Sequence, residues 1–328
     1  MEDTFPVADG VTGIDTKMVG RYLVTSAYLV DASEPALIET GPQTSSEAVL
    51  RGLETLGHGP ADLAHIVVTH IHLDHAGGVG TIAARFPDAT VWVSERGVRH
   101  LADPAKLVAS TERTYGAERM RQMFGVVTPV AADRLQALAD GDRIELGNRT
   151  LSVLYTPGHA SHHVALHDSA IGAVFTGDAL GVHLPDVRVL RPATPPPDFD
   201  LELACASIER IRDRGDLLLL SHFGPVAEVD HLCELATRRI RAWSEDVRVA
   251  LDVDDDLDRI VAILEERSAA EYHEDSGEPI DMERYDVLSS IRMNAMGVIR
   301  YWKRRTERDL EALAQVPLAL EQRTDQPS

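Results

Sequence analysis

The stretch "THIHLDHAGG" at 69–78 sets His70, His72, Asp74 and His75 within six positions. Imidazole nitrogens and carboxylate oxygens crowded this closely are hard to satisfy by ordinary hydrogen bonding, and they are the donor atoms of a metal site. Further donors stand singly, each just after an apolar run: His159 in "YTPGHASHH", Asp178 in "FTGDAL" and His222 in "SHFGP". Seven donors exceed what one tetrahedral ion accepts and suit two ions sharing a bridge. Imidazole favours zinc, with iron or manganese as alternatives, and no cysteine joins the set as a structural zinc knot would require. Two carboxylates leave two divalent ions with residual positive charge, which generates a nucleophile at neutral pH and polarises a carbonyl or phosphoryl oxygen.

Donors this far apart meet only if strands deliver them to one edge, the usual way an α/β fold assembles a site. The pattern supplies such strands. Residues 20–41 read as paired strands, and "AHIVVTH", "ATVWVSE" (89–95), "AVFTGD" and "DLLLLSHFG" as buried ones. "DRIELGNRTLSVLYTPG" reads as a hairpin, and "TSSEAVLRGLETLG" as a helix with Glu47 in its first turn and Gly57 as its stop. "LELACASIERIRDRG" and the region 97–138 also read as helical; there Tyr115, Met120, Met123 and Phe124 are taken as core rather than a lid. Gly77 and Gly78 are expected to give the backbone freedom to turn after the first ligands.

Beyond about residue 228 helical spacing takes over. Leu257, Ile260, Val261 and Leu264 follow one such stripe, and Leu288, Ile291, Ala295, Val298 and Trp302 another. The expected organisation is a catalytic domain over 1–245 and a helical C-terminal extension over 246–328 with a disordered end. "DVDDD" at 252–256 lacks the glycine and glutamate of a calcium loop and reads as a helix N-terminal cap.

The net charge of −21 argues against nucleic acid and anionic membrane surfaces as partners, leaving a small-molecule substrate. No apolar run reaches the length of a membrane helix, and the N-terminus has no secretory h-region. Cys205 and Cys233, the only cysteines, form no disulfide framework, so a cytoplasmic location is expected. A homodimer is left open. His58, His65, His100, His167, His231 and His273 are read as structural or solvent-exposed.

Taken in order, "THIHLDH", "TPGH", "TGD" and "SHFGP" resemble the metallo-β-lactamase superfamily over roughly residues 15–245. The resemblance implies an α/β (α+β) fold, an αββα sandwich with metals at one edge, here carrying the helical appendage. It implies that His70, His72 and His159 hold one metal, that Asp74, His75 and His222 hold a second, and that Asp178 bridges them. The "TPGH…H" pattern is most similar to glyoxalase II and its thioesterase and lactonase relatives, which places His163 behind a ligand. Glu39, in "IETGP", stands where members usually carry aspartate and is expected to support the metal loop. Residues 183–199 correspond to a region beside the substrate cleft, making His183, Arg188, Arg191 and Phe199 candidate substrate contacts. No basic glutathione-binding motif like that of glyoxalase II is visible in the C-terminal part.

The implied activity is a dinuclear hydrolase of an ester, thioester or lactone that uses a metal-bridging hydroxide, with Asp74 and Asp178 as catalytic residues. A mononuclear iron persulfide dioxygenase is the alternative, and a phosphodiesterase of the RNase Z type the second, against which the net charge weighs.

Overall fold

The computed structural model describes residues 3–184, 189–276, 286–287 and 289–314. Seven strands form one sheet in sequence order: β1 (Thr4–Ala8), β2 (Val11–Asp15), β3 (Ser26–Val30), β4 (Ala36–Ile38), β5 (His65–Val67), β6 (Thr90–Ser94) and β7 (Leu135–Leu138). Its connections carry α1 (Ser46–Thr55), α2 (Leu73–Ala76), α3 (Val79–Arg85), α4 (Glu95–Ala102), α5 (Ala105–Tyr115) and α6 (Ala117–Phe124). A second sheet holds β8 (Arg143–Glu145), β9 (Thr150–Tyr155), β10 (Val164–Asp168), β11 (Ala173–Gly177), β14 (Leu217–Leu220) and β15 (Gly224–Val226). β12 (Val182–Leu184) and β13 (Val189–Arg191) pair as a separate hairpin. Four longer helices follow or intervene: α7 (Leu201–Arg212), α8 (Val229–Leu251), α9 (Leu257–Ser276) and α10 (Ile291–Ala314).

Alternation along the strands builds the layers. Tyr28, Val30, Ile38 and Val67 point from the first sheet into a core shared with Leu151, Val153, Leu166 and Phe175 of the second. Ala27, Leu29, Leu37 and Ile66 point the other way, against Val49 and Leu53 of α1 and Val79 and Ile82 of α3. On the far side Leu154, Ala165, Val174 and Leu218 meet Ile208 and Ile211 of α7 and Leu232 and Leu235 of α8. The result is an α/β sandwich with added C-terminal helices, the architecture the sequence resemblance implies.

Those helices have a core of their own, in which Trp243 and Val247 of α8 pack with Ile260 and Leu264 of α9 and Ala295, Val298 and Tyr301 of α10. α8 thus belongs to both bodies: its first half covers the second sheet and its second half holds the extension. It runs unbroken across the boundary drawn at residue 245. Leu288 of the second apolar stripe, and the terminal stretch expected to be disordered, lie outside the described residues. Asp256 Oδ1 accepts the amides of Asp258 and Arg259, at 2.9 and 3.3 Å, capping α9 as the acidic run predicts. Among the described residues no helix is long and apolar enough to cross a membrane.

One strand departs from the sequence reading. The helical region expected over 97–138 ends as strand β7, parallel to β6. Leu135 and Leu138 are three apart, a helical spacing, and only the free edge of β6 decides in favour of extended backbone. Of the four apolar residues read as core, Met120, Met123 and Phe124 are buried, while Tyr115 and Phe124 also face a cavity described below.

Candidate metal centre

Four strand ends converge where the two sheets meet. The Val164 amide donates to the Thr69 carbonyl at 2.8 Å, and the Ser26 amide to that of Ser221 at 2.8 Å, tying the edges together. β5 leads into His70 and His72, and the single turn of α2 carries Asp74 and His75. His159 follows β9, Asp178 follows β11, and His222 follows β14. Gly77 and Gly78 have ordinary φ of −61° and −83°, so their role is not the freedom to turn. Their role is space: a Cβ at Gly78 would lie 3.0 Å from the Thr40 carbonyl oxygen. At Gly177, φ is +52° and a Cβ would come within 2.4 Å of His163 Nε2, so only glycine fits before Asp178.

The donor atoms fall into two groups. His70 Nε2 lies 3.1 Å and His159 Nε2 2.9 Å from His72 Nδ1. Three neutral nitrogens aimed at one point have no hydrogen to share, but they match the roughly 3.3 Å edge of a tetrahedron around zinc. In the second group His75 Nε2 and His222 Nε2 lie 3.5 and 3.4 Å from Asp74 Oδ2. Asp178 spans both, with Oδ2 at 3.5 Å from His159 Nε2 and Oδ1 at 3.2 and 3.3 Å from His75 and His222. His75 Nε2 and Asp178 Oδ1 are buried without hydrogen-bond partners, a costly arrangement that metal coordination resolves. The donor set therefore fits two divalent ions, and a third grouping of Glu39 with His70 and His75 overlaps the first two.

The far sides of the rings are held so that the lone pairs face inward. His159 Nδ1 donates to the Ala193 carbonyl at 2.9 Å and His222 Nδ1 to that of Val24 at 3.2 Å. The Thr69 hydroxyl donates to Glu39 Oε1 at 2.5 Å, so its oxygen must accept from His70 Nδ1 at 2.9 Å. Glu39, buried and at φ +66°, also lies 3.6 Å from His75 Nδ1. His163 Nε2 accepts the Asp178 amide at 3.0 Å, and its Nδ1 meets the Thr156 hydroxyl at 2.8 Å. Both supporting residues named from the sequence thus stand directly behind ligands.

Electrostatics separates the two halves. Burial pushes His72 and His159 down to about 4 and His70 well below its usual range, leaving three neutral imidazoles. Burial acts the same way on His75 and His222, but the Asp178 charge outweighs it, raising His75 and taking His222 to about 9. Conversely, burial alone would raise Asp74 and Asp178, and the neighbouring imidazoles hold both far below the usual carboxylate range. Without metal, the second half is a set of imidazolium–carboxylate pairs.

His72, Asp74, His159 and Asp178 form the floor of a cavity of about 900 Å³. One wall is Arg96 and Arg99 of α4 with Lys106 and Arg113 of α5; the other is Pro195–Asp198 with Met293 and Asn294 of α10. His100, set aside in the sequence reading, also lines this space.

Three of the four expected substrate contacts, His183, Arg191 and Phe199, are not among the residues lining this cavity. Arg191 is fully buried, donating to Tyr272 Oη at 2.5 Å and to Asp286 Oδ1 and the Ser289 carbonyl at 2.8 Å each, so it fastens β13 to the helices. Phe199 is buried against Tyr301, with ring centroids 5.7 Å apart. His183 pairs through its amide with the His222 carbonyl at 2.7 Å and braces that strand end. Arg188 lies outside the described residues.

A residue not singled out in the sequence does face the cavity. His162 Nδ1 accepts the Ile71 amide at 3.4 Å, leaving Nε2–H as a neutral donor beside the His72 ring, 5.5 Å away between centroids. The signal was the doubled histidine before β10: alternation sends His163 to Asp178 and His162 to the opposite side.

Residues 20–222 match the sequence profile of the Metallo-beta-lactamase superfamily. Acyl-coenzyme A thioesterase MBLAC2 from Gallus gallus is 30% identical over 138 residues, 38% of this chain and 44% of that protein. A hydroxyacylglutathione hydrolase from Synechococcus sp. (strain JA-3-3Ab) is 31% identical over 153 residues, 47% of this chain and 48% of that one. The matched part thus spans about half the length of these relatives. The fold of TTHA1429, a metallo-beta-lactamase family protein from Thermus thermophilus, is similar with a TM-score of 0.65 at 21% identity. That likeness covers 91% of this chain and 95% of the other, and so extends into the C-terminal helices. With the profile matching more than half of its length and seven side chains able to hold metal gathered at one sheet edge, the chain belongs to the metallo-beta-lactamase superfamily.

Proposed function

We propose that this chain is a dinuclear metal-dependent hydrolase of a thioester or a related ester or lactone. One observation carries the reading: the Asp178 carboxylate faces both ligand groups at once, one oxygen to each, at the floor of a cavity large enough for a small-molecule substrate. His70, His72 and His159 would hold one ion and Asp74, His75 and His222 the other, and zinc suits the imidazole-rich set. Bound divalent ions supply Lewis acidity and a water-derived nucleophile at neutral pH. In the reaction a C–O bond forms at the acyl carbon, the C–S bond breaks, and the thiol leaves with a proton.

The chain's own groups orient this chemistry. Asp74 and Asp178 stay ionised throughout, since the imidazoles beside them hold their pKa values far down. His162 Nε2–H offers a neutral hydrogen bond to the substrate's carbonyl or departing sulfur. Support also comes from the two relatives, whose names both denote thioester hydrolyses. The complete second ligand group favours two metals over one. Elemental analysis of the isolated protein, with a panel of thioesters, lactones, phosphodiesters and β-lactams, tests the reading. Two zincs and thioester turnover are expected; a single iron with oxygen uptake on a persulfide would overturn it.

A further inference from the structure

Fifty-three carboxylates outnumber 32 lysines and arginines in this chain, so several cations gathered in one place without acidic partners stand out. Arg149, Arg212, Arg248 and Arg267, for example, each hold a carboxylate. Arg96, Arg99, Lys106 and Arg113 hold none among the described residues; Arg99 Nε donates only to His100 Nε2, at 3.2 Å. All four line the cavity above the metal ligands.

Their spacing is regular. Arg96, Arg99 and His100 fall at i, i+3 and i+4 on α4, and Lys106, Ser110, Arg113 and Thr114 at i, i+4, i+7 and i+8 on α5. Each helix therefore turns one cationic side to the same space, and α5 adds the hydroxyl residues Ser110, Thr111 and Thr114. Of the acidic residues there, Asp74 and Asp178 belong to the ligand set, and Asp198 accepts the Ser161 hydroxyl at 2.5 Å and its amide at 3.2 Å. That leaves Glu95 at the start of α4 as the remaining carboxylate of the lining.

We infer that this wall of α4 and α5 seats the phosphate groups of the substrate, which is the thioester of a phosphorylated carrier of the coenzyme A class. The inference rests on the hydrolase reading and names its substrate. Four cations exceed what a carrier ending in one or two carboxylates needs, whereas several phosphates match them in charge. Guanidinium forks and hydroxyls match phosphate oxygens in geometry. The wall is also local: the strongly negative remainder of the surface repels polyanions too large to enter the cavity, nucleic acid included.

The test compares hydrolysis of acetyl-coenzyme A and S-acetylpantetheine, the same thioester without phosphates, by the metal-loaded protein and its Lys106→Glu/Arg113→Glu variant. Wild type is expected to prefer the coenzyme A ester by at least roughly tenfold, a preference that falls with added salt and that the variant loses through KM. Calorimetric titration of coenzyme A into both proteins gives a readout independent of turnover, with binding weakened at least roughly tenfold in the variant. Weakened binding without hydrolysis of either ester would leave the phosphate wall standing and remove the hydrolase reading. Equal use of the two esters, with coenzyme A binding unchanged by the substitutions, would overturn the wall and leave the hydrolase. Tighter binding of a single-stranded RNA oligonucleotide than of coenzyme A would also overturn it.

Discussion

Glu39 and His75 stand 3.6 Å apart, carboxylate oxygen to Nδ1, while the same oxygen receives the Thr69 hydroxyl that holds His70. One buried carboxylate thereby orients a ring in each half of the metal centre. Replacing it with an amide of the same shape removes the charge that favours Nδ1–H on His75. Glu39→Gln is expected to lower metal affinity about 10- to 100-fold with the fold retained, measured by chelator competition alongside circular dichroism. Unchanged affinity would show that Glu39 serves the backbone alone.

The unequal protonation of the two halves predicts the stoichiometry of proton release. At pH 6 His75 and His222 are still charged, while His70, His72 and His159 are already neutral. Zinc uptake at that pH should displace about two protons per chain from imidazolium and at most one more from metal-held water, measured by calorimetry in buffers of different ionisation enthalpy. About four, the number for five ordinary imidazoles, would contradict the assignment.

Stability of the metal-free protein follows from the same shifts. His72 and His159 titrate near 4 when folded against 6.5 in an ordinary setting, so protons favour the unfolded chain and this stability is lost as pH falls from 6.5 toward 4. His222 titrates near 9, so its contribution is complete below 6.5 and lost as pH rises through 9. Thermal melts of the metal-free protein should peak in the pH interval between these losses, and a melting temperature that is flat from 4 to 9 would refute it.

Asp178 presents one carboxylate oxygen to each of the two donor groups. Asp178→Ala should reduce bound metal from two ions to one or fewer. Turnover should fall by more than the roughly 100-fold typical of losing a supporting residue. Metal content by elemental analysis and thioester hydrolysis report it; full loading would remove the bridge from the scheme.

α10 completes the cavity through Asn294, whose buried amide accepts the Thr194 N–H at 2.7 Å and donates to the Pro192 carbonyl at 2.9 Å. Asn294→Ala strands both groups and should cost roughly 2 kcal/mol or more in denaturant unfolding. Gly297 presses on the same loop, where a Cβ would lie 1.8 Å from the Thr194 carbonyl oxygen. Gly297→Val should therefore destabilise by about 1–3 kcal/mol and raise KM more than it lowers metal content. Metal loss at the same protein stability would mean that the extension supports the ligands themselves.

The gathering of these seven side chains was legible from sequence because each sits where a short apolar strand ends, and the strand end fixes where the side chain goes. The helices of the tail were legible by period, and the cap of α9 by its acidic run. Other features depend on neighbours distant in the chain. Leu135 and Leu138 are equally consistent with a helix until β6 offers them an edge. Arg191 and Arg96 carry the same guanidinium. Packing buries the first between β13 and the helices, and leaves the second open above the candidate ligands. Local spacing specifies what a segment can form and which atoms can bind metal. The walls that choose a substrate arise where α4, α5 and α10, far apart in sequence, close over one cavity, and only tertiary packing decides that.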